Sequence, residues 1–266
     1  MKRIYNILSA ATVALMLFSC GSKVEQVDGE LLARARTEYE NGNYNAARKL
    51  IDSIRIVSPK AYKLLHDAEV LRHEILIKEQ ERNVAFYEEG VRNLEATRKS
   101  LASNLVYNKK GKYYTVKSQD ISKNSKNNFL RASVYDDGTM LLTSFYRGKK
   151  KLNYRKLTLS SNGTHVSCDK VVEPIRYDSR NYKYGNDDGL IDFICAAKGR
   201  IEVELSNDKD RVVYVMRDSD IEAVREIFEL RHAIVAVRNA EVELKKSKYI
   251  LGCLKGNAAP AGEENQ

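Results

Sequence analysis

The spacing of apolar residues changes twice along this chain, and that change constrains the fold more than any other feature. Residues 60–104 and 218–255 carry apolar side chains at helical spacing, whereas residues 105–217 consist of short runs with period 2, such as "NFLRASVY" and "TMLLTSFY". Asp/Asn-Gly turn sequences separate several of these runs, as antiparallel hairpins require. The sequence therefore predicts an α+β fold, in which an antiparallel β-sandwich or barrel at residues 105–217 is inserted between two long helices.

Eight runs in this central region are predicted to be strands. Each is rich in β-branched or aromatic residues and is bounded by polar or glycine-containing turns. The eight runs are 112–118, 128–135, 139–146, 155–160, 164–168, 191–197, 201–206 and 211–216. The turns at 136–138, 161–163, 187–189 and 207–210 separate them.

The two flanking helices are predicted to pair with each other. Residues 60–104 contain no proline and a single glycine, Gly90. Their apolar side chains keep the 3,4 spacing of a coiled-coil seam. Ser219 and Glu222 form a capping box that opens the helix at 218–255. We expect an antiparallel coiled coil within one chain, which would bring Lys60 close to Leu251. A homodimer through the same seams is the alternative.

Residues 31–59 have the spacing of a helical hairpin. Gly42, Tyr44, Ala47 and Pro59 fall at the relative positions of a tetratricopeptide repeat, and the segment resembles one such unit. The resemblance implies two closely packed helices with a glycine turn. Because Leu76 stands where the next repeat would have its glycine, we expect a single hairpin and not a peptide-binding array.

The first residues have the composition of an export signal. Two basic residues precede an apolar run too short to cross a bilayer, and the run ends in "LFSC". Leu17, Ser19 and Cys20 resemble the lipobox of bacterial lipoproteins, and the whole-chain pattern resembles lipoproteins of Bacteroidetes. The resemblance implies a signal peptide at 1–19, a lipid on Cys20 and a polar lipidated linker at 20–30. An ordinary secretory signal is the alternative.

The lipobox resemblance also predicts a location. The protein would be attached to a membrane of the bacterial cell envelope through its lipid anchor, and the absence of aspartate at Gly21 favours the outer membrane. The C-terminal residues 256–266 are predicted to be disordered.

The positive charge of the chain is concentrated in residues 105–156, which hold 13 basic and 3 acidic residues. The densest part contains the candidate binding residues Arg147, Lys149, Lys150 and Lys151. Behind an export signal such a cluster favours an anionic glycan or lipid headgroup over nucleic acid. A solvated lysine-rich surface is the alternative.

A second candidate contact surface lies at residues 176–189, which show neither helical nor strand periodicity. The segment interleaves arginine and tyrosine, which give large contact areas with polar tips and are typical of protein interfaces. Its candidate binding residues are Arg176, Tyr177, Arg180, Tyr182 and Tyr184. The alternative is a connection that packs its own tyrosines.

No signature of a known catalytic or cofactor site is present in the sequence. Cys168, Cys195 and Cys253 have no metal-binding spacing, and Cys168 and Cys195 could form a disulfide or remain free thiols. We predict no cofactor, no metal and no enzymatic activity. The sequence indicates a lipid-anchored binding or assembly module that presents its β domain to an envelope protein or an anionic glycan, as a monomer. The alternative is a hydrolase that acts on envelope polymers through dispersed carboxylates.

Overall fold

The computed structural model describes residues 19–176 and 178–256, with side chains from residue 29 onward except at 175 and 176. It confirms an α+β fold. Five α-helices are present in this part of the chain: α1 (Ser19–Glu40), α2 (Tyr44–Val57), α3 (Tyr62–Ala102), α4 (Leu190–Ala196) and α5 (Asp218–Leu254). The first 18 residues, Tyr177 and residues 257–266 lie outside the described residues, and so do the predictions of a signal peptide and of most of the disordered tail.

Ten strands lie between α3 and α5. They are β1 (Val106–Asn108), β2 (Tyr113–Thr115), β3 (Phe129–Tyr135), β4 (Met140–Phe145), β5 (Lys156–Ser161), β6 (Thr164–Cys168), β7 (Val172–Arg176), β8 (Ser179–Lys183), β9 (Glu202–Ser206) and β10 (Arg211–Val215). The chain divides into two compact units. The first comprises the described residues up to Glu88 and from Glu243 onward, and the second comprises Glu89–Val242.

The first unit is built on the helical hairpin of α1 and α2. Gly42 lies in the turn between them with φ +76°, a conformation that glycine adopts without steric cost. Ala35 and Ala47 are fully buried, so the helices approach closely, and α3 adds Leu71 and Ile75 to the same core. The segment predicted to be a linker, residues 20–30, is helical and belongs to α1.

Within this unit, α3 and α5 run antiparallel. Lys248 pairs with Glu88 and Lys255 pairs with Glu81, each at 2.8 Å, so residue numbers rise along one helix as they fall along the other. The Nε2 atom of His73 lies 2.9 Å from the carbonyl oxygen of Leu254. The end of α5 therefore lies beside His73, roughly 16 Å along the helix from the start of α3, and not near Lys60 as predicted. A coiled coil along the full length stays a prediction.

The second unit contains two open antiparallel sheets. The six-stranded sheet has the order β1-β2-β3-β4-β8-β7, and the four-stranded sheet has the order β10-β9-β5-β6. Neither sheet closes on itself, so the barrel alternative is wrong. The predicted turns at 136–138, 161–163 and 207–210 connect the hairpins β3–β4, β5–β6 and β9–β10.

One predicted strand, 191–197, is wrong, because this segment forms α4. The side chain of Asp187 is buried, and its Oδ2 atom accepts a hydrogen bond from the backbone N–H of Ile191 at 2.9 Å. That bond satisfies one of the free donors in the first turn of the helix. Leu190, Ile191 and Ile194 are fully buried at helical spacing, so packing favours a helix here.

The two sheets share one apolar core with the first half of α5. Leu130, Ala132 and Val134 of β3 face this core, and the alternate residues of that strand face away from it. Ile227 and Ile234 of α5 belong to the same core. The sequence assigned this stripe of α5 to a coiled-coil seam with the long helix. That assignment is wrong for the buried part of the stripe, because Ile227, Leu230 and Ile234 pack in the core between the two sheets.

Candidate functional site

The basic cluster predicted from the sequence is not one site in the structure. The Nη1 atom of Arg147 donates to Asp178 Oδ2 at 2.5 Å, and the guanidinium lies 5.0 Å from the centre of the Phe145 ring. Lys149, Lys150 and Lys151 are exposed on the segment that joins β4 to β5. Arg147 therefore has a defined position and partner, whereas the three lysines lie on the surface.

The arginine–tyrosine segment is also different from the prediction, because part of it is the strand β8. Arg180 and Tyr182 point to the core side of the sheet: Arg180 is 8% exposed, and Tyr182 is fully buried. The Arg180 guanidinium lies 5.0 Å from the ring centre of Tyr154. These two residues cannot present their side chains to a partner, so their assignment to a contact surface is wrong. The alternative, a segment that packs its own tyrosines, is correct for Tyr182.

The other residues of this segment have separate positions. The hydroxyl of Tyr184 donates to Asp192 Oδ1 at 3.2 Å, and the guanidinium of Arg231 lies 4.3 Å from its ring centre. Arg176 ends β7, and its side chain is among those not described. Tyr177 lies outside the described residues.

A groove of about 300 Å³ lies on the face of the six-stranded sheet that points away from the apolar core. The register of the sheet builds it, since Arg131 pairs with Thr143 and Thr143 pairs with Asn181 on adjacent strands. Its lining residues share this outer face or lie at its rim: Tyr113, Ile121, Arg131, Ser133, Tyr135, Leu141, Thr143, Phe145, Glu173, Pro174, Ser179 and Asn181.

Arg131 is the residue around which this groove is organised. Its guanidinium carbon lies 5.4 Å from the ring centre of Phe145 and 5.8 Å from that of Tyr113. The Nε atom is buried without a hydrogen-bond partner, and no carboxylate of the described residues forms an ion pair with this guanidinium. Buried polar groups in folded proteins are normally paired. Arg131 therefore offers an unused cation to whatever enters the groove.

Short polar groups surround this cation. The hydroxyl of Thr143 donates to Asn181 Oδ1 at 2.8 Å, which fixes the orientation of that amide. Ser133 is 3% exposed on the same face. Burial, as the largest cause, raises the pKa of Tyr135, so its hydroxyl remains a donor at neutral pH. The groove thus combines one cation and one carboxylate, that of Glu173, with neutral hydroxyl, amide and aromatic groups.

Sequence reasoning missed Arg131, although a signal for it was present. In "FLRASVY" the residues Phe129, Arg131, Ser133 and Tyr135 alternate with the apolar core residues, so they share the opposite face of one strand. A cation between aromatic and hydroxyl residues on one strand face marks a candidate site. The partners Tyr113 and Phe145 come from other strands, and single-sequence reasoning did not align them.

Two cysteines that could have paired are free. Cys168 and Cys195 are both unbonded thiols, and burial raises the pKa of each to about 11. Within residues 19–176 and 178–256, no three His, Cys, Asp or Glu side chains cluster as metal ligands would. Over the same part of the chain, no helix has the length and apolar character needed to cross a bilayer.

Comparison of the chain with protein-family models, with curated proteins and with solved structures gives no match in any of the three. The geometry of the groove is therefore the basis for the functional argument.

Proposed function

We propose that this protein is a lipid-anchored binding module of the bacterial cell envelope, and that its groove around Arg131 binds a glycan with carboxylate groups. The observation that carries the proposal is the guanidinium of Arg131, whose Nε atom is buried without a hydrogen-bond partner among the described residues and which is framed by Tyr113 and Phe145. A guanidinium carries the charge opposite to that of a carboxylate, and the spacing of two of its N–H donors fits the two carboxylate oxygens. A bound carboxylate would accept hydrogen bonds from the guanidinium, which has no acceptor among the described residues.

The other lining residues favour a sugar as the carrier of that carboxylate. Aromatic rings provide flat apolar faces with polar edges, which suit the two-sided character of a sugar ring. Hydroxyl and amide groups on the strands can exchange hydrogen bonds with sugar hydroxyls. All of these groups lie on a sheet, so the groove is held in shape before the ligand arrives.

The binding test uses the purified full-length chain and calorimetric titration with polygalacturonate, with dextran as the neutral reference. Arg131→Gln removes a charge-assisted hydrogen bond worth about 1.5–3 kcal/mol, so affinity should fall at least about tenfold. Lys150→Gln is the matched control, since it removes the same charge from an exposed residue that does not line the groove. Its affinity should stay within about twofold of the wild-type value.

Two results would contradict the proposal. Equal losses of polygalacturonate affinity in Arg131→Gln and Lys150→Gln would mean that binding depends only on the overall charge of the protein. Equal binding of dextran and polygalacturonate by the wild-type protein would mean that the carboxylate is not recognised.

The membrane part of the proposal depends on Cys20. Several acyl chains, at about 0.8 kcal/mol per buried CH₂, would hold the protein on a membrane, and we place it on the outer membrane. Cys20→Ala should release the protein into the soluble envelope fraction or leave an unprocessed precursor. Fractionation of the envelope tests this, and unchanged membrane association of the variant would refute the anchor.

The hydrolase alternative would have to use Glu173, the one carboxylate among the described residues that line the groove. Glycoside hydrolysis generally uses two carboxyl groups roughly 5–10 Å apart. A binding site therefore accounts better for the groove. Release of new reducing ends from polygalacturonate, abolished by Glu173→Gln, would support the alternative.

A further inference from the structure

A second cavity of about 500 Å³ lies in the same unit as the groove. Three basic side chains line it, Lys126, Arg147 and Arg217, together with the amide-bearing residues Asn127 and Asn128. No acidic residue is among its lining residues. The cavity therefore has the electrostatic character of an anion site.

Aromatic stacking links this cavity to the groove. Arg131 lines the groove and Arg147 lines the cavity, and both guanidinium groups lie over the ring of Phe145, at 5.4 and 5.0 Å from its centre. The two guanidinium carbons can therefore be no farther apart than these two distances added together. Phe129 stacks on Phe145 with ring centres 4.7 Å apart, and Arg217 lies 6.0 Å from the Phe129 ring centre.

Two buried polar atoms of the cavity residues have no hydrogen-bond partner among the described residues: Arg147 Nε and the hydroxyl oxygen of Tyr214. Burial raises the pKa of Tyr214 well above its usual range, and its hydroxyl lies among the buried core residues Tyr154 and Tyr182. Arg147 and Arg217 each already pair with one aspartate. Lys126 has no such ion pair with a described residue and gives the cavity its net positive charge.

We propose that this cavity is a second subsite for the same ligand, and that it receives a further acidic residue of the glycan chain bound at Arg131. This inference rests on the proposed function. It makes the ligand a polymer with repeated negative charges and not a single acidic sugar. Two subsites joined through the ring of Phe145 would gain affinity by multivalency, because the second contact forms at a high effective concentration once the first is made.

The test is calorimetric titration of the full-length protein with galacturonate oligomers of one to six residues, at constant ionic strength. The wild-type affinity should rise more than tenfold once the oligomer reaches both subsites. The variant Lys126→Gln should bind the monomer like the wild-type protein and lose this gain. The matched control is Lys123→Gln, which removes an exposed lysine three residues from Lys126 and outside the cavity lining, and which should keep the gain.

The outcomes separate this inference from the proposed function. Monomer binding without any gain from length would overturn the second subsite and leave the groove intact. A gain that persists in Lys126→Gln would also overturn it, since the additional contact would lie elsewhere. Absence of binding at every length by the wild-type protein would overturn the proposed function together with the inference.

Discussion

Replacing Arg131 with methionine should remove ligand binding without a matching loss of stability. The methionine side chain keeps much of the apolar stem of Arg131 and can still contact Phe145 and Tyr113. What it removes is a guanidinium whose Nε atom is buried without a partner. A residue that serves binding and not folding should respond in this way.

The magnitude follows from two opposing contributions. An unpaired buried N–H costs about 1–3 kcal/mol, and methionine removes that cost. Two cation–π contacts contribute about 0.5–1 kcal/mol each, and methionine loses them. Because the contributions offset each other, we expect Arg131→Met to change the free energy of unfolding by no more than about 1 kcal/mol, or to increase it slightly.

Arg147→Met is the comparison, because Arg147 is a partly buried arginine that does have a partner. The substitution leaves Asp178, whose side chain is 24% exposed, without the guanidinium 2.5 Å away. Arg147 shares with Arg131 a buried Nε without a partner and a cation–π contact with Phe145, but its replacement also loses a charged hydrogen bond worth about 1.5–3 kcal/mol. We therefore expect Arg147→Met to be about 1–2 kcal/mol less stable than Arg131→Met, which is roughly 2–8 °C in Tm for a chain of this size.

Thermal unfolding followed by circular dichroism measures both variants. The Tm of Arg131→Met should lie within about 3 °C of the wild-type value or above it, and that of Arg147→Met should be clearly lower. If Arg131→Met lowers Tm as much as Arg147→Met does, Arg131 is a structural residue. The argument that its unpaired guanidinium marks a binding site would then be wrong.

Two further predictions follow from the titratable groups. Hydrogen bonds from Lys255, and next from Lys78, lower the pKa of Glu81 from 4.5 to about 2. The stabilisation that the ionised Glu81 gives the folded protein is therefore complete above pH 4.5 and is lost as the pH falls towards 2. Glu81→Gln should therefore flatten the fall of Tm across that interval, and an unchanged pH profile would contradict the pairing. Burial raises the pKa of the Cys168 and Cys195 thiols to about 11, whereas Cys253 is exposed, so iodoacetamide at pH 8 should label Cys253 first and the other two at least about tenfold more slowly. Mass spectrometry of the peptides measures this, and equal rates in the folded protein would contradict the burial.

The long helices and seven of the ten described strands were predictable from the sequence, whereas β1, β7, β8 and α4 were not. The hairpin β3–β4 was the clearest case, since alternation on both strands and the turn at Gly138, with φ +83°, all indicate the same structure. Local signals of this kind agree with the tertiary structure wherever one strand face is apolar and the other polar. The helices, with their long periodic segments, were predictable for the same reason.

The segment containing β8 was not predictable, because its buried face is polar. Arg180 and Tyr182 face the core, where Arg180 lies over the ring of Tyr154 and a buried serine, Ser144, bonds the hydroxyl of that tyrosine at 2.8 Å. Hydrophobic alternation cannot reveal a strand whose inward residues are an arginine and a tyrosine. The helix α4 was missed for another reason, since a short apolar run rich in isoleucine is compatible with either structure until its packing is known.

The candidate site could be predicted only in part. The sequence predicted a positively charged β domain that contacts an envelope protein or an anionic glycan. It placed the candidate binding residues on the most basic segment and on residues 176–184. Charge density along the chain does not show which cations already have partners. The pairing of Arg147 with Asp178, and the unpaired state of Arg131, depend on contacts between residues distant in sequence.

The most direct test of the central claim is the NMR signal of the Arg131 Nε–H group. An ¹⁵N-labelled sample would be titrated with galacturonate oligomers, and the signal assigned by its loss in Arg131→Lys. We predict a downfield shift of this Nε–H signal that saturates with ligand and slower exchange with solvent, because the group gains a carboxylate acceptor. If the signal stays unchanged while the protein binds the oligomer, the ligand does not contact Arg131, and the groove is not the binding site.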